Sequence, residues 1–298
     1  MAKRGVSGPV NCYWYVSDSL RPWEAAVAGS LARALIKNGV EITSYSAAGT
    51  ESLGVPGLLS WRSMTTVERM TTVGTRGKLW HLWGTPPPWW RLIRLRSRTV
   101  HTRFNQLSRW EGHPTALTTS AFDSSVSYIP PAFEMKMSWG AEEDKDPSSE
   151  GRPALFLLSG AIDEGRMYAE SAASLSSMLL DFDRADEGMN LLSSDNCILL
   201  LPQPTSSLSL LAALAALMGV PTVAAGSSSL NELLGEEGYV HLASPSPEDI
   251  RSAFSLVLGE GGRSASAFAR RNVAESYPPE KGARKLKEIY ERLAGSSS

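Results

Sequence analysis

The second half of this chain alternates short apolar segments with longer segments that fit helices, and the alternation is regular. Apolar runs predict buried strands at 153–160 (PALFLLSG), 196–202 (NCILLLP), 220–226 (VPTVAAG) and 239–244 (YVHLAS). Helix-compatible segments follow these runs at 164–180, 207–219, 229–238 and 246–259. Strands that alternate with helices at this spacing form parallel sheets, because each parallel pair needs a crossover connection. The sequence therefore predicts a parallel α/β unit in this half.

The first half opens with the same pattern. The run PVNCYWYV at 9–16 predicts a buried strand, and VEITSY at 40–45 predicts a second one. Between them, the apolar side chains of segment 21–39 recur at helical spacing, and Gly39 stands where a helix C-cap is expected. Strand, helix and strand in this order are typical of a doubly wound sheet. Further strands are predicted at 78–83, 97–102, 115–120 and 125–130.

A polar, acidic stretch at 138–152 separates the two halves, and its composition is typical of a linker. The 298 residues of the chain suit two domains, since single domains usually hold roughly 100–200 residues. We therefore predict two Rossmann-like, doubly wound α/β lobes that face an interlobe cleft. The predicted boundaries are 1–137 for the first lobe, 138–152 for the linker, 153–278 for the second lobe, and 279–298 for a C-terminal helix with a flexible tail.

The charge balance excludes one broad class of partner. The formal net charge is −2 at pH 7, whereas non-specific binding to nucleic acid needs a broad basic surface, so we expect no nucleic-acid partner. No metal site is expected either, because the cysteines and histidines do not stand at metal-ligand spacing. Both cysteines, Cys12 and Cys197, lie in apolar runs, which predicts buried, reduced thiols and a cytoplasmic location.

One segment leaves contact with a membrane surface open. Residues 86–98 read PPPWWRLIRLRSR and combine two tryptophans with four arginines, a mixture that suits a membrane interface. A short helix with a solvated basic face is the alternative. Since no run approaches the roughly 20 apolar residues of a membrane span, we expect peripheral contact at most.

The run at 199–254 has a distinctive order of local features. A strand ends in Pro202, a helix ends in a Gly-x-Pro junction at 219–221, and a Gly/Ser loop then opens another helix. This order resembles the donor-site signature of the retaining family-four glycosyltransferases, which have the GT-B fold. Shorter stretches, LFLLSGAIDEG at 155–165 and KLWHLWG at 78–84, are similar to the same family.

The resemblance implies an enzyme that transfers a sugar from a nucleotide-sugar donor to a glycan, lipid-linked or protein acceptor. It implies no cofactor, since the nucleotide sugar is a substrate. The donor would bind in the second lobe, where helix N-termini at the carboxyl ends of parallel strands present N–H groups to a diphosphate. Two facing lobes exclude water, which favours transfer over hydrolysis.

The donor signature is degenerate in this chain. Family members carry two glutamates at positions that here hold Ser206 and Leu214. Where the family has a basic pair after the first strand of the donor lobe, this chain has Asp163 and Glu164, with Arg166 just beyond them. The loss of cations should weaken both binding and departure of an anionic diphosphate. The alternative is therefore a catalytically silent GT-B-like subunit that binds an acceptor or an active glycosyltransferase partner. An epimerase acting on sugar nucleotides is a third hypothesis.

His81 is the predicted catalytic residue. The resemblance places it at a strand end near the transferred sugar, where its ring would bind a hydroxyl or carry a proton. The alternative is a histidine packed beside Trp80 and Trp83. Trp89 and Trp90 are predicted to form an acceptor or partner surface, because aromatic faces stack on sugars and anchor interfaces.

Small polar residues at strand ends and helix starts form the predicted donor site. The predicted donor-binding residues are Gly160, Arg166, Ser206, Ser207, Ser228, Ser229 and Glu232. An ordinary strand-to-helix turn with serine capping is an equal alternative for the loop at 226–232.

Overall fold

The structure is a computed structural model, and it describes residues 10–46, 55–74, 77–85, 98–104, 116–118, 127–134, 154–158, 176–180, 192, 197–244 and 246–295. The chain forms two compact units. The first unit contains Met1–Ala132 together with Pro279–Ser298, and the second unit contains Phe133–Pro278. The chain therefore returns to the first unit after it completes the second. The predicted linker at 138–152 lies outside the described residues.

The described elements follow one another as alternating strands and helices for most of the chain. In chain order they are β1 (Val10–Val16), α1 (Pro22–Lys37), β2 (Val40–Ser46), β3 (Leu59–Ser60), α2 (Thr66–Gly74), β4 (Leu79–Trp83), β5 (Arg98–Arg103), β6 (Ala116–Thr118), β7 (Ser127–Tyr128), β8 (Ala154–Leu158), β9 (Ser176–Leu180), β10 (Cys197–Leu201), α3 (Ser206–Leu217), β11 (Thr222–Ala224), α4 (Ser228–Leu234), β12 (Val240–His241), α5 (Pro247–Val257), α6 (Glu260–Ser276) and α7 (Pro279–Gly295).

The first unit is built on a parallel sheet of seven strands in the order β3-β2-β1-β4-β5-β6-β7. The order reverses between β1 and β4, as in a doubly wound sheet. The predicted fold class is confirmed for this unit. A short strand, β3, and a helix, α2, lie in a stretch for which the sequence predicts no element.

The sequence around α1 explains where this helix begins and ends. Pro22 occupies its first turn, and Glu24 Oε2 accepts a hydrogen bond from the backbone N–H of Arg21 over 2.9 Å. Gly39 follows the helix with a φ of 78°, a left-handed conformation that glycine adopts without strain. Most side chains of α1 are buried, because the helix contacts both β2 and α7.

The last helix, α7, covers part of the first unit and contacts α1, β1 and β4. Its buried side chains include Leu286, Ile289 and Tyr290, which share one helical face. Gly282 lies where α7 passes very close to other backbone. A Cβ at this position would lie 2.6 Å from the carbonyl oxygen of Pro130, so the close approach requires glycine.

The second unit contains a parallel sheet in the order β12-β11-β10-β8-β9. The strands predicted at 153–160, 196–202, 220–226 and 239–244 are confirmed as β8, β10, β11 and β12. This sheet is also doubly wound, because its order reverses between β8 and β10. The predicted fold class is thus confirmed for each unit.

One predicted helix is wrong at its C-terminal end. Residues 164–180 fit a helix by pattern, but Ser176–Leu180 forms the strand β9, which pairs with β8. A short apolar run carries too little periodicity to separate a strand from a buried helix, and the open edge of β8 supplied the backbone partner. The helix α6 lies at 260–276, where the sequence predicts no element.

Helices cover the sheet of the second unit. One core cluster packs side chains of β10 and β11, among them Ile198, Leu200 and Val223, against Ile250 and Phe254 of α5. α3 is buried nearly all round and contacts α4 and α6 as well as the sheet. Its length and direction carry the chain from one edge of the sheet to the other.

Candidate functional site

Three neighbouring strands of the second unit end at one edge of the sheet. β10 ends at Leu201, β11 at Ala224 and β12 at His241, and the three strands are parallel. A turn follows each strand and leads into a helix. We call this edge the carboxyl edge of the second unit. Its described turns are 202–205, 225–227 and 242–244.

Each helix that starts at the carboxyl edge has a hydroxyl cap. Thr205 accepts a hydrogen bond from Leu208 N over 3.3 Å at the start of α3. Ser227 does the same for α4 and Ser246 for α5, each over 3.2 Å. The caps leave further first-turn N–H groups pointing outward from the helix ends, where they and the helix dipole favour an anion.

The reversal of strand order marks the part of this edge where a ligand is expected. Open α/β sheets bind ligands outside the carboxyl ends of the strands where the order reverses, here between β8 and β10. The turn after β10, at 202–205, and the N-terminus of α3 form the described side of this place. The predicted donor residues Gly160 and Arg166 follow β8 in the sequence and lie outside the described residues.

Serine hydroxyls connect the starts of α3 and α4. Ser209 Oγ lies 2.9 Å from Ser229 Oγ, and Ser229 Oγ lies 3.4 Å from Ser227 Oγ. Ser209 also donates to the carbonyl oxygen of Thr205 over 3.0 Å and is fully buried. We call these three residues the serine network. It holds the side chain of Ser229 in one place beside the turn of α4.

The predicted donor-binding residues of the described edge lie on α3 and α4. Ser206 is half-buried and Ser207 buried at the start of α3, while Ser228 is exposed and Ser229 half-buried at the start of α4. Glu232 is half-buried further along α4. The structure therefore brings Ser229 into a network whose other two members were not predicted. Ser227 is recognisable from sequence as a helix cap, but Ser209 is found only from the contact between two helices.

The two positions that carry glutamates in the resembling family differ in their surroundings. Ser206 is the first residue of α3 and half-buried. Leu214 lies two turns later and is 3% exposed, packed inside the unit. A carboxylate at Leu214 would lose its hydration, so this position is part of the core in this chain.

The structure adds His241 to this edge, for which the sequence predicts no role. Its side chain is exposed at the end of β12 and lies beside the turn that begins α4. A Cβ placed on Gly226 would lie 3.4 Å from His241 Nε2 and 3.2 Å from Tyr239 Oη. Tyr239 in turn donates to Asn231 Oδ1 over 2.6 Å. The sequence gives no reason to assign a role to a single histidine at a strand end. Its place at this edge becomes visible only in the structure, where the end of β12 lies close to Gly226.

The described carboxyl edge contains hydroxyls and N–H groups but no strong cation. Residues 202–209, 225–231, 242–244 and 246–249 include no lysine or arginine. The groups that this edge offers to an anion are the N–H groups at the N-terminus of α3, the hydroxyls of Ser227 and Ser229, and the exposed ring of His241. Helix N-termini bind phosphate in many α/β proteins, so the arrangement suits an anion without a lysine or arginine.

His81, the predicted catalytic residue, is fully buried in the first unit. Its Nε2 lies 2.7 Å from Thr102 Oγ1, and its Nδ1 makes a short hydrogen bond with the hydroxyl of Tyr290. Its ring stacks on Trp83 at a centroid distance of 4.3 Å. Both nitrogens are thus occupied inside the core. This geometry favours the alternative of a packed histidine, and the catalytic role stays a prediction.

The carboxyl edge of the first unit carries a separate group of hydroxyls. The order of strands reverses there between β1 and β4, and Ser17 Oγ lies 2.8 Å from Ser19 Oγ. Ser19 donates to Thr85 Oγ1 over 3.0 Å. Gly84 has a φ of 78°, a left-handed conformation that glycine adopts without strain, so this turn favours glycine. Polar groups therefore line the place where a doubly wound sheet binds ligands.

Some predictions concern residues that the structure does not describe. Trp89 and Trp90, predicted as an acceptor or partner surface, lie outside the described residues. Within the described ranges, no group of three or more His, Cys, Asp or Glu residues is placed to hold a metal ion. Across those same ranges, every helix is too short or too polar to span a bilayer.

No protein-family model and no curated protein matches this chain. Solved structures do match it over nearly its whole length. A glycosyltransferase from Rickettsia africae superposes with a TM-score of 0.63 at 12% identity, covering 98% of this chain and 100% of that one. Anabaena HepE, in complex with UDP and glucose, gives 0.62 at 9% identity, covering 94% and 99% of the two chains.

A third neighbour has a different description. It is called a putative UDP-N-acetylglucosamine 2-epimerase, from Listeria monocytogenes, and superposes with a TM-score of 0.58 at 12% identity, covering 98% of each chain. At such identities a likeness shows the fold and no more. The two doubly wound units of this chain have the GT-B fold, the fold of the glycosyltransferases that it resembles.

Proposed function

We propose that this chain transfers a sugar from a nucleotide-sugar donor to a glycan, lipid-linked or protein acceptor. The donor's diphosphate binds at the carboxyl edge of the second unit. The observation that carries this proposal is the capped N-terminus of α3, which opens where the strand order reverses between β8 and β10. Such a place binds the phosphates of nucleotides in doubly wound sheets.

The serine network and His241 would add side-chain donors to the helix N–H groups. Ser229 is fixed by its contact with Ser209, so its hydroxyl would not have to be ordered when a ligand binds. His241 is exposed at the end of β12 beside Gly226, so its ring is accessible to an anion at this edge. These groups would share the charge that a lysine or arginine pair carries in the resembling family.

Sugar transfer requires the leaving nucleoside diphosphate to be stabilised as its bond to the sugar breaks. Fixed dipoles that point at the developing charge achieve this without a cost for reorganisation. Since Ser206 and Leu214 offer no carboxylate, the proposal assigns the main role to the N-terminus of α3. The complex of Anabaena HepE with UDP and glucose makes UDP the first nucleotide to test.

The experiment is calorimetric titration of the full chain with nucleoside diphosphates and their sugars. We expect one nucleotide, tested first as UDP, to bind, and Ser229→Ala to weaken it about tenfold, because a hydrogen bond to a charged phosphate is lost. Ser255→Ala is the matched control, since Ser255 is exposed on α5 and bonds to the carbonyl of its own helix. A folded wild-type chain that binds none of these nucleotides would contradict the proposal.

A second candidate keeps the binding site and omits the reaction. It is favoured by one observation: the described carboxyl edge lacks both the carboxylates of the family and any lysine or arginine. Such a chain would bind a nucleotide sugar, leave it intact, and position an acceptor or an active glycosyltransferase. Binding without turnover, together with a second glycosyltransferase-like chain in the purified native complex, would support it. Turnover by the isolated chain would rule it out.

An epimerase would share the same fold and the same donor. Product analysis separates it from a transferase, because an epimerase yields an altered sugar without an acceptor. A transferase releases the nucleoside diphosphate in proportion to the acceptor that it glycosylates.

A further inference from the structure

A groove of about 450 Å³ lies along α6 in the second unit, far from the carboxyl edge. α3 starts at the carboxyl edge and ends at Leu217; Gly219 follows the helix end, and the chain then enters β11 at its amino end. Gly219 lines the groove, so the groove lies at the opposite edge of the sheet. It is separate from the site proposed for the donor.

Three arginines border this groove: Arg263, Arg270 and Arg271. All three are exposed. The guanidinium groups of Arg263 and Arg270 make no salt bridge or hydrogen bond to any described residue. That of Arg271 lies over the ring of Phe268, 5.8 Å from its centroid. We call these residues the arginine groove.

The floor of the arginine groove is made of small residues. Ser266 donates to the carbonyl oxygen of Gly219 over 3.2 Å, which fixes α6 against the end of α3. Ala267 and Ala274 lie on the same stripe of α6 as Arg263 and Arg270, because positions three, four and seven apart share one helical face. The space above these short side chains stays open between the guanidinium groups.

The charge of the groove is unbalanced. Among the described residues that line the groove, none is an aspartate or a glutamate, although Glu260 and Glu275 belong to the same helix. Three positive groups around one small space repel one another, and an anion between them would remove that repulsion. Guanidinium groups keep their charge at any physiological pH and bind phosphate oxygens through paired N–H donors.

We propose that the arginine groove binds a small phosphate-bearing anion, at a site distinct from the carboxyl edge. Its volume is in the range of small-molecule sites, which is roughly 300–1,000 Å³. A space of this size, bordered by Gly219 after the end of α3, fits a small phosphate compound better than an extended surface such as a membrane. The short floor residues allow the phosphate to approach the helix, and the arginines supply its ligands.

The test is a titration of the full chain with inorganic phosphate at constant ionic strength, followed by amide NMR shifts. We expect saturable shifts at Gly219, Ser266 and Ala267. The triple variant R263Q/R270Q/R271Q should weaken phosphate binding by more than about a hundredfold, since several charged hydrogen bonds are lost. The single variants Arg263→Gln and Arg270→Gln should each weaken phosphate binding about tenfold. If the triple variant does not fold, these single variants test the proposal.

Two control variants test whether phosphate binds at the arginine groove. The variant K37Q/R284Q/K285Q removes the same formal charge from exposed positions of the first unit and should bind phosphate as the wild type does. Ser229→Ala should also leave this affinity unchanged, although it weakens nucleotide binding at the carboxyl edge. The proposal is overturned if the wild type shows no saturable shifts at the groove, if the arginine variants bind normally, or if glutamate binds as well as phosphate.

Discussion

Tyr290 is the residue on which buried polar groups of the first unit converge. Its hydroxyl accepts a hydrogen bond from Trp14 Nε1 over 3.0 Å and makes another with His81 Nδ1. Burial raises the pKa of this hydroxyl well above its ordinary value, so it stays protonated. His81 is bound on its other side by Thr102. The network joins β1, β4, β5 and α7, and a buried network of this kind rigidifies a core only while every member is paired.

We expect Tyr290→Phe to lower the free energy of unfolding of the first unit by about 1–3 kcal/mol, because the buried N–H of Trp14 loses its acceptor. Urea denaturation followed by tryptophan fluorescence measures this. Tyr239→Phe is the matched control: it removes a partly buried hydrogen bond in the second unit and should leave the first-unit transition in place. An unchanged midpoint for Tyr290→Phe would show that the network does not stabilise the unit.

At the scale of elements, α7 belongs to the first unit because of how closely it packs there. Its amphipathic pattern indicates a helix, and the buried face is correctly readable from the spacing of Leu286, Ile289 and Tyr290. The sequence does not show which unit α7 packs against, because the segment that precedes α7 in the sequence belongs to the second unit. The approach of Gly282 to Pro130 is the tightest point of this contact.

We expect Gly282→Ala to destabilise the first unit by about 1–3 kcal/mol, because the new methyl group would meet backbone that cannot move away. The gain in helix propensity, roughly 1 kcal/mol, acts in the opposite direction and is smaller than this cost. Gly295→Ala is the control on the same helix, since a Cβ there has nothing within 4 Å. Thermal unfolding of the two variants measures the difference. A Gly282→Ala variant as stable as Gly295→Ala would contradict the packing described here.

At the scale of the whole molecule, each unit contains one buried cysteine. Cys12 lies in β1 of the first unit and Cys197 in β10 of the second. Burial raises the pKa of each thiol from 9.0 to about 12. Since the thiolate is the reactive form, both cysteines should be inert while their units are folded.

Thiol labelling therefore reports the unfolding of each unit separately. At about pH 8, below the ordinary thiol pKa, we expect neither cysteine to react in the native chain and both to react in urea. Peptide mapping of the labelled chain then gives the transition of each unit. Because the folded pKa values are raised, the neutral thiols favour folding below pH 9, and this contribution is lost as the pH rises towards 12. Rapid labelling of Cys12 or Cys197 in the native chain would contradict their burial.

Local pattern by itself determined most of the elements of this protein. Alternating apolar runs and helical segments predict β1, β2, β4, β8, β10, β11 and β12 in parallel sheets, because strand, crossover helix and strand have one favoured geometry. The caps at Gly39 and Ser227 are also local, since a helix end is satisfied by residues within one turn of it. The degeneracy at Ser206 and Leu214 is equally visible in the sequence.

Only the tertiary structure decided which distant side chains meet. His81 matches a functional position by pattern, yet it packs against Tyr290, which lies 209 residues away in sequence. The contact of Ser209 with Ser229, the place of His241 beside Gly226, and the arginine groove on α6 likewise depend on how helices pack across a sheet. The strand β9 formed because β8 had an open edge. In each case the stabilising contact joins segments that are distant in the sequence, so a local sequence pattern cannot predict it.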